Sequence, residues 1–166
     1  SRVPEELHSL IPLLYDDSGR DLKLMSRNGY SCHVCVLRPK STGRMTLRSS
    51  DPDDPPRIDL NFFEHPDDRK TLVDGIRLAR KILAAPSFDE YRGAEISPGP
   101  DAQSDEEILA RAKARLGLVY HPVGTCKMGT DEMAVVDDEL RVRGLERLRV
   151  VDASIMPVIV RANTNL

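Results

Sequence analysis

Tryptophan is absent from the 166-residue chain, and aromatic side chains make up only 4% of it. A surface that stacks nucleic-acid bases needs more aromatic area than that. Positive charge is not in excess either, since 24 Lys and Arg face 27 Asp and Glu for a formal net charge of −3. That balance excludes a broad basic field for nucleic acid or an anionic membrane. No uninterrupted apolar run approaches the roughly 20 residues of a membrane span. The opening Ser1-Arg2-Val3-Pro4-Glu5-Glu6 does not read as the start of a secretion signal. Three cysteines cannot all pair within one chain, which argues against a disulfide-framed secreted scaffold and predicts a reducing, cytoplasmic setting. The ten glycines never fall two positions apart, so the dinucleotide fingerprint Gly-x-Gly-x-x-Gly is missing.

What is present suffices for a folded core: 40% of the residues are hydrophobic and 31% charged. The first 28 residues are mixed. Leu7, Leu10, Ile11, Leu13 and Leu14 form an apolar patch broken by Pro12, and Asp16-Asp17-Ser18-Gly19 reads as a turn. Tyr30 to Leu37 is rich in β-favouring residues and predicts a buried strand bounded by Gly29 and Pro39. Alternation in Gly43 to Arg48 and again in Arg57 to Phe62 predicts two further strands, the first half exposed, around a proline-rich loop at Asp51 to Pro56. A helix starts near Pro66, where Asp67 and Asp68 place negative charge at the positive end of the dipole. Its apolar face is Leu72, Ile76, Ala79 and Leu83, widened by Val73 and Ile82, and Pro86 stops it. Ser104-x-x-Glu107 is a capping box that opens a second helix carrying Ile108, Leu109, Ala112 and Leu116 and closed by Gly117. Beyond it, strand-like runs at Leu118 to Val123, Glu139 to Val142 and Leu148 to Asp152 are joined by glycine-containing turns. The class is α+β.

Several segments invite a chemical reading. Cys32-His33-Val34-Cys35 has CxxC spacing, but zinc needs a second pair of ligands that the remaining histidines and Cys126 do not supply. In a strand the two sulfurs also point to opposite faces, so ordinary buried thiols are expected and no metal. Gly124 to Thr130 has two glycines at phosphate-loop spacing, yet Thr130 stands where the loop requires lysine. His121, between Tyr120 and Pro122, is the residue type best suited to take a proton near neutral pH; its spacing alone favours the plainer reading of a partly buried histidine satisfied by a backbone carbonyl. Val150-Val151-Asp152-Ala153-Ser154 reads as a buried strand whose carboxyl end offers small residues to a ligand, or as a strand end with an Asx turn. Asn163, in Arg161-Ala162-Asn163-Thr164-Asn165-Leu166, suits orienting a hydroxyl or carbonyl, or capping a helix.

Taken in order, Tyr120 to Gly129, Ala134 to Asp137, Leu140 to Leu145, Leu148 to Pro157 and Asn163-Thr164-Asn165 closely resemble the C-terminal signature of the glucose-methanol-choline (GMC) oxidoreductases, nearest the bacterial choline dehydrogenase and alcohol dehydrogenase branch. Upstream, Gly43 to Ser49 resembles the family's G-x-(V/L)-x-L-x-S strand, and Pro56 to Asn61 its P-x-I-x-x-N element. The resemblance implies FAD-dependent oxidation of a primary alcohol to an aldehyde. His121 then matches the acceptor of the alcohol proton, and Asn163 the second active-site position. Asp152 and Ala153 match the strand end that meets FAD, and Asn163, Thr164 and Asn165 the segment passing the flavin ring.

The expected organisation is a lead-in over residues 1–28 and a substrate domain over 29–118, an antiparallel sheet backed by helices. A catalytic, flavin-facing strip over 119–166 would return to an FAD-binding Rossmann-like domain that this chain lacks. The missing fingerprint makes the chain the expected C-terminal piece of a larger enzyme, binding FAD weakly or not at all and inactive by itself. The implied partners are a small alcohol and the FAD-binding part of the same polypeptide, with no nucleic acid. A cytoplasmic location is expected, with the inner-membrane surface open to the longer enzyme. The alternative is a stand-alone, non-catalytic binding module that kept the substrate-domain scaffold.

Overall fold

A computed structural model describes residues 6–12, 14–17, 22–24 and 28–164. The chain divides into two compact units, Ser1–Val36 with Phe63–Val119, and Leu37–Phe62 with Tyr120–Leu166.

In the first unit, β1 (Glu6–Ile11) pairs antiparallel with β4 (Ser31–Val36), from Glu6 opposite Val36 to Ile11 opposite Ser31. The short strands β2 (Tyr15–Asp17) and β3 (Leu22–Leu24) form a second antiparallel pair. Asp16 and Asp17 therefore belong to a strand and not to the predicted turn, whose Ser18 and Gly19 lie outside the described residues. Leu13 lies outside them as well.

Helix α1 (Pro66–Leu83) begins as the sequence predicts, with proline at its first position and two acidic residues in its first turn. The cap itself is His65, whose Nδ1 accepts from the Asp67 N–H at 3.1 Å. Leu72, Val73, Gly75 and Ala79 are buried along the helix, whereas Ile82 is 42% exposed and falls off the predicted face. At Gly75 the helix runs close to β4: a Cβ there would lie 2.6 Å from Val34 Cγ1. Helix α2 (Asp105–Lys113) opens with both halves of the predicted capping box in place. It ends on Ala114 before reaching Gly117, through 3₁₀-type bonds such as Arg115 N–H to Ala112 O at 3.1 Å. Val73, Ala102 and Ile108 form the buried centre between the two helices, with Ile76 and Leu109 packed against it. Two arginines of α1 fasten the segment leading into α2. Arg80 bonds the Glu95 carboxylate and the Gly99 and Ala102 carbonyls, and Arg77 reaches the Gln103 carbonyl and Asp105.

In the second unit, β5 (Arg44–Thr46) and β6 (Arg57–Asp59) form an antiparallel pair around the predicted loop. Both strands are exposed along their whole length, more than the alternation suggested. Gly43 allows the close approach before the pair, since a Cβ would meet the Asp59 carbonyl at 2.4 Å. The α+β class follows the sequence, and the antiparallel pairing agrees with what the resemblance implies. The pairing is split, among the described residues, into three two-stranded sheets, with α1 packed on the β1–β4 pair.

None of the three predicted C-terminal strands forms. Residues 118–123 contain Pro122, which has no N–H to give, and Tyr120 at φ 61°, which turns the chain out of the extended region. The other two runs reduce to single bridges, Val136 to Val142 and Arg141 to Arg149. Leu140 at φ 65°, Gly144 at φ 77° and Arg147 at φ 61° bend the chain too often for a ladder to extend. The turns close instead around Val136, which is fully buried beside buried Ala134. Val136 also bridges Met128.

Candidate active site

The site is assembled within the second unit from three stretches far apart in sequence. The first is the turn that carries His121. Tyr120 sits in the left-handed region, Pro122 fixes its own φ, and Gly124 at φ 90° takes a conformation that suits glycine. Between these constraints His121 is half-buried.

The second stretch is the 3₁₀ turn Ala153–Ile155. Asp152 is its N-cap, with Oδ1 accepting from the Ser154 N–H at 2.8 Å. Hydrogen bonding from the Ser154 side chain and backbone holds the Asp152 carboxyl below the usual carboxylate range. This is the Asx-turn reading of the segment. The buried-strand reading is corrected: Val151 is 72% exposed, and the extended path ends with Asp152, beyond which the chain folds into the 3₁₀ turn. The turn is tied to the His121 segment by the Cys126 N–H to Ser154 O at 3.0 Å and the Met128 N–H to Ile155 O at 2.8 Å.

Those bonds also bear on the phosphate-loop spacing. The N–H groups of Cys126, Lys127, Met128 and Gly129 donate to Ser154, Gly124, Ile155 and Val136 carbonyls, so they are aimed at protein and not at an anion. Lys127 pairs with Asp131 at 2.9 Å, and that pairing holds the Asp131 carboxyl low.

The third stretch is the end of the chain. His121 Nδ1 lies 3.1 Å from Thr164 Oγ1, a contact across 43 positions. Asn163, next to it in the chain, is exposed. Asn165 lies outside the described residues. The structure thus brings His121 and Thr164 into hydrogen-bond contact and ties the histidine's segment to that of Asp152 and Ala153. The contact between Thr164 and the imidazole was not visible in the sequence, where nothing links residues so far apart.

The cysteine pair sits elsewhere, on β4 in the first unit, with Cys32 opposite Leu10 and Cys35 opposite Leu7. Both are free, and burial pushes both thiols up. Among the described residues no cluster of three or more His, Cys, Asp or Glu could hold a metal ion, and no helix is long and apolar enough to cross a membrane. The first unit also holds an apolar cavity of about 300 Å³ lined by Leu10, Pro12, Tyr30, Phe88 and Tyr91.

The GMC oxidoreductase family profile matches residues 39–166. The alcohol dehydrogenase [acceptor] of Pseudomonas putida is 49% identical over 155 residues, 93% of this chain and 28% of that protein. The oxygen-dependent choline dehydrogenase of Cronobacter sakazakii is 44% identical over 162 residues, 98% of this chain and 29% of that protein. Among solved structures, pyridoxine 4-oxidase from Mesorbium loti superposes with a TM-score of 0.83 at 28% identity, over 96% of this chain and 31% of that one. An FAD-dependent oxidoreductase from Chaetomium thermophilum gives 0.74 at 33% identity, over 81% of this chain and 24% of that one. The chain therefore spans less than a third of the length of these relatives. With its profile match covering most of the sequence and its fold shared with these oxidoreductases, the chain belongs to the GMC oxidoreductase family.

Proposed function

We propose that the full-length protein carrying this chain is an FAD-dependent enzyme that oxidises a primary alcohol to an aldehyde, with His121 as proton acceptor. The observation that supports this best is the half-buried imidazole, engaged through Nδ1 at 3.1 Å and set on a turn bonded to the Ala153–Ile155 turn. The donor set fits one wall of a flavin site. Ala153 carries only a methyl group and is half-buried, and Asn163 and Thr164 are neutral hydrogen-bonding residues. When bound, FAD supplies the acceptor for the hydride of the alcohol carbon. Asp152, Ala153, Asn163, Thr164 and Asn165 are the residues of this chain assigned to line the flavin, whose main hold falls to the rest of the polypeptide.

His121 takes the hydroxyl proton, which gives the oxygen alkoxide character and weakens the hold of the adjacent carbon on its hydride. The Asn163 amide donates a hydrogen bond to that oxygen as charge develops on it. An amide does not compete for the proton, so the two roles do not interfere. Since no Gly-x-Gly-x-x-Gly occurs in these 166 residues, the isolated chain is assigned weak FAD binding or none, and no turnover. Its partners in this reading are a small alcohol and the FAD-binding part of the same polypeptide, in a cytoplasmic setting.

The test is a substrate panel on the purified full-length enzyme, with choline and simple aliphatic alcohols, under air and with an artificial electron acceptor. The reading expects an alcohol to bleach the flavin anaerobically and to appear as its aldehyde. Alcohol binding without bleaching would return the chain to a non-catalytic binding module.

A further inference from the structure

The Nδ1 contact constrains which nitrogen of His121 can act. A ring nitrogen already engaged in a hydrogen bond is not free to receive a substrate proton, so Nε2 is left for that task. In a neutral imidazole only one nitrogen carries hydrogen, and the other holds the lone pair. For Nε2 to be the acceptor, Nδ1 must carry the hydrogen and donate it. Thr164 Oγ1, 3.1 Å away, is placed to receive it.

We propose that Thr164 is a positioning residue: its hydroxyl accepts the hydrogen bond from His121 Nδ1–H, which fixes the ring and keeps the lone pair on Nε2. The inference rests on the reading of His121 as proton acceptor. Three features make the threonine suited to this. Its β-branched side chain is stiff at χ1, so the hydroxyl is held in place without help from a long side chain. It is half-buried, which limits competition from water. It is also neutral, so it selects the tautomer without the charge that a carboxylate would add beside the imidazole. The Nδ1–H donor persists, and strengthens, when the ring becomes imidazolium, so the contact favours the protonated product of the step as well as the correct starting tautomer. Backbone rigidity on the histidine side complements this, because Tyr120 at φ 61° and Pro122 leave the ring little freedom except about its own χ angles.

The experiment uses the full-length holoenzyme and two substitutions. Thr164→Val keeps the shape and removes the hydroxyl; Thr164→Ser keeps the hydroxyl. Flavin reduction by alcohol is followed anaerobically, and the imidazole tautomer is read from ¹⁵N shifts of histidine-labelled enzyme, with His121 assigned by its loss in His121→Ala. Thr164→Val is expected to slow flavin reduction by roughly 10- to 100-fold, by analogy with the loss of an outer partner that orients a metal-bound histidine. Flavin stays bound, and the alcohol concentration for half-saturation changes little. Thr164→Ser is expected to recover most of the rate. The wild-type His121 signal is expected to be that of the Nδ1–H tautomer, and Thr164→Val to give a mixture. An unchanged rate in Thr164→Val, a Thr164→Ser variant as slow as Thr164→Val, or an Nε2–H tautomer in the wild type would overturn the proposal. His121→Ala separates the two claims: normal reduction in that variant ends the proton-acceptor reading, whereas slow reduction there with a fast Thr164→Val ends only the role given to Thr164.

Discussion

Two backbone constraints and one hydrogen bond set the position of His121. Tyr120 occupies the left-handed region at φ 61°, which costs an ordinary L-residue about 1–2 kcal/mol. Such strain concentrates where a neighbour must be aimed, and here the neighbour is the imidazole. Pro122 on the other side fixes the exit direction, and Thr164 holds Nδ1. Asn163 differs in kind, being exposed and adjacent in sequence to the residue that touches the ring. Its amide is therefore assigned to the substrate oxygen and not to the histidine. Asn163→Ala in the full-length enzyme is expected to slow flavin reduction by roughly 10- to 100-fold, the worth of a hydrogen bond to a developing charge. FAD stays bound, as read from the visible spectrum. Loss of the flavin would make Asn163 a cofactor ligand instead. The thiols of Cys32 and Cys35 stand apart, since their raised values and their diverging directions on β4 suit packing and not chemistry.

The two helices were legible because their signals are local. Pro66, Asp67 and Asp68 mark a start, Ser104 and Glu107 a capping box, and both helices begin where those residues stand. The end of α2 was not legible. Gly117 looked like a stop, but the chain had already tightened into 3₁₀-type bonds after Lys113. β1 was hidden because Leu7, Leu10 and Ile11 follow no period of two, and its partner β4 lies twenty or more residues away, where only tertiary pairing reveals it. In the C-terminal strip the runs of valine, leucine and arginine look like strands. Positive φ at Leu140, Gly144 and Arg147 is what prevents it, and side-chain identity at Leu140 and Arg147 does not announce such a backbone. Gly75 is a case where the reason for a residue appears only in the packing. Alanine there would improve helix propensity by about 1 kcal/mol. Its Cβ would also lie 2.6 Å from Val34 Cγ1 on a stiff β-branched side chain, and overpacking of that kind costs about 1–3 kcal/mol. Gly75→Ala is therefore expected to lower the Tm of the full-length enzyme, by up to about 2 kcal/mol of stability, while leaving the rate of flavin reduction per folded molecule unchanged. An increase in Tm would show that α1 and β4 separate at little cost.

At the scale of the molecule, the candidate chemistry belongs to the second unit, where 120–128, 152–156 and Thr164 are joined by named hydrogen bonds. The identity of most of these residues was legible from the C-terminal signature, because their spacing and order are specific even though each residue alone is ambiguous. Their mutual contacts were not, since each joins positions tens of residues apart through turns that leave no periodic trace. The family is established by residues 39–166, yet the chain covers under a third of its relatives, and it contains no dinucleotide fingerprint. The account therefore assigns the proton chemistry to this chain and the main hold on FAD to the rest of the polypeptide. The measurement that tests this most directly is the rapid anaerobic reduction of the full-length enzyme's flavin by alcohol, wild type against His121→Ala. The account predicts a variant that retains its flavin and its visible spectrum but is reduced roughly 100- to 10,000-fold more slowly, the range expected for loss of a general base. Reduction at the wild-type rate with the flavin in place would contradict it.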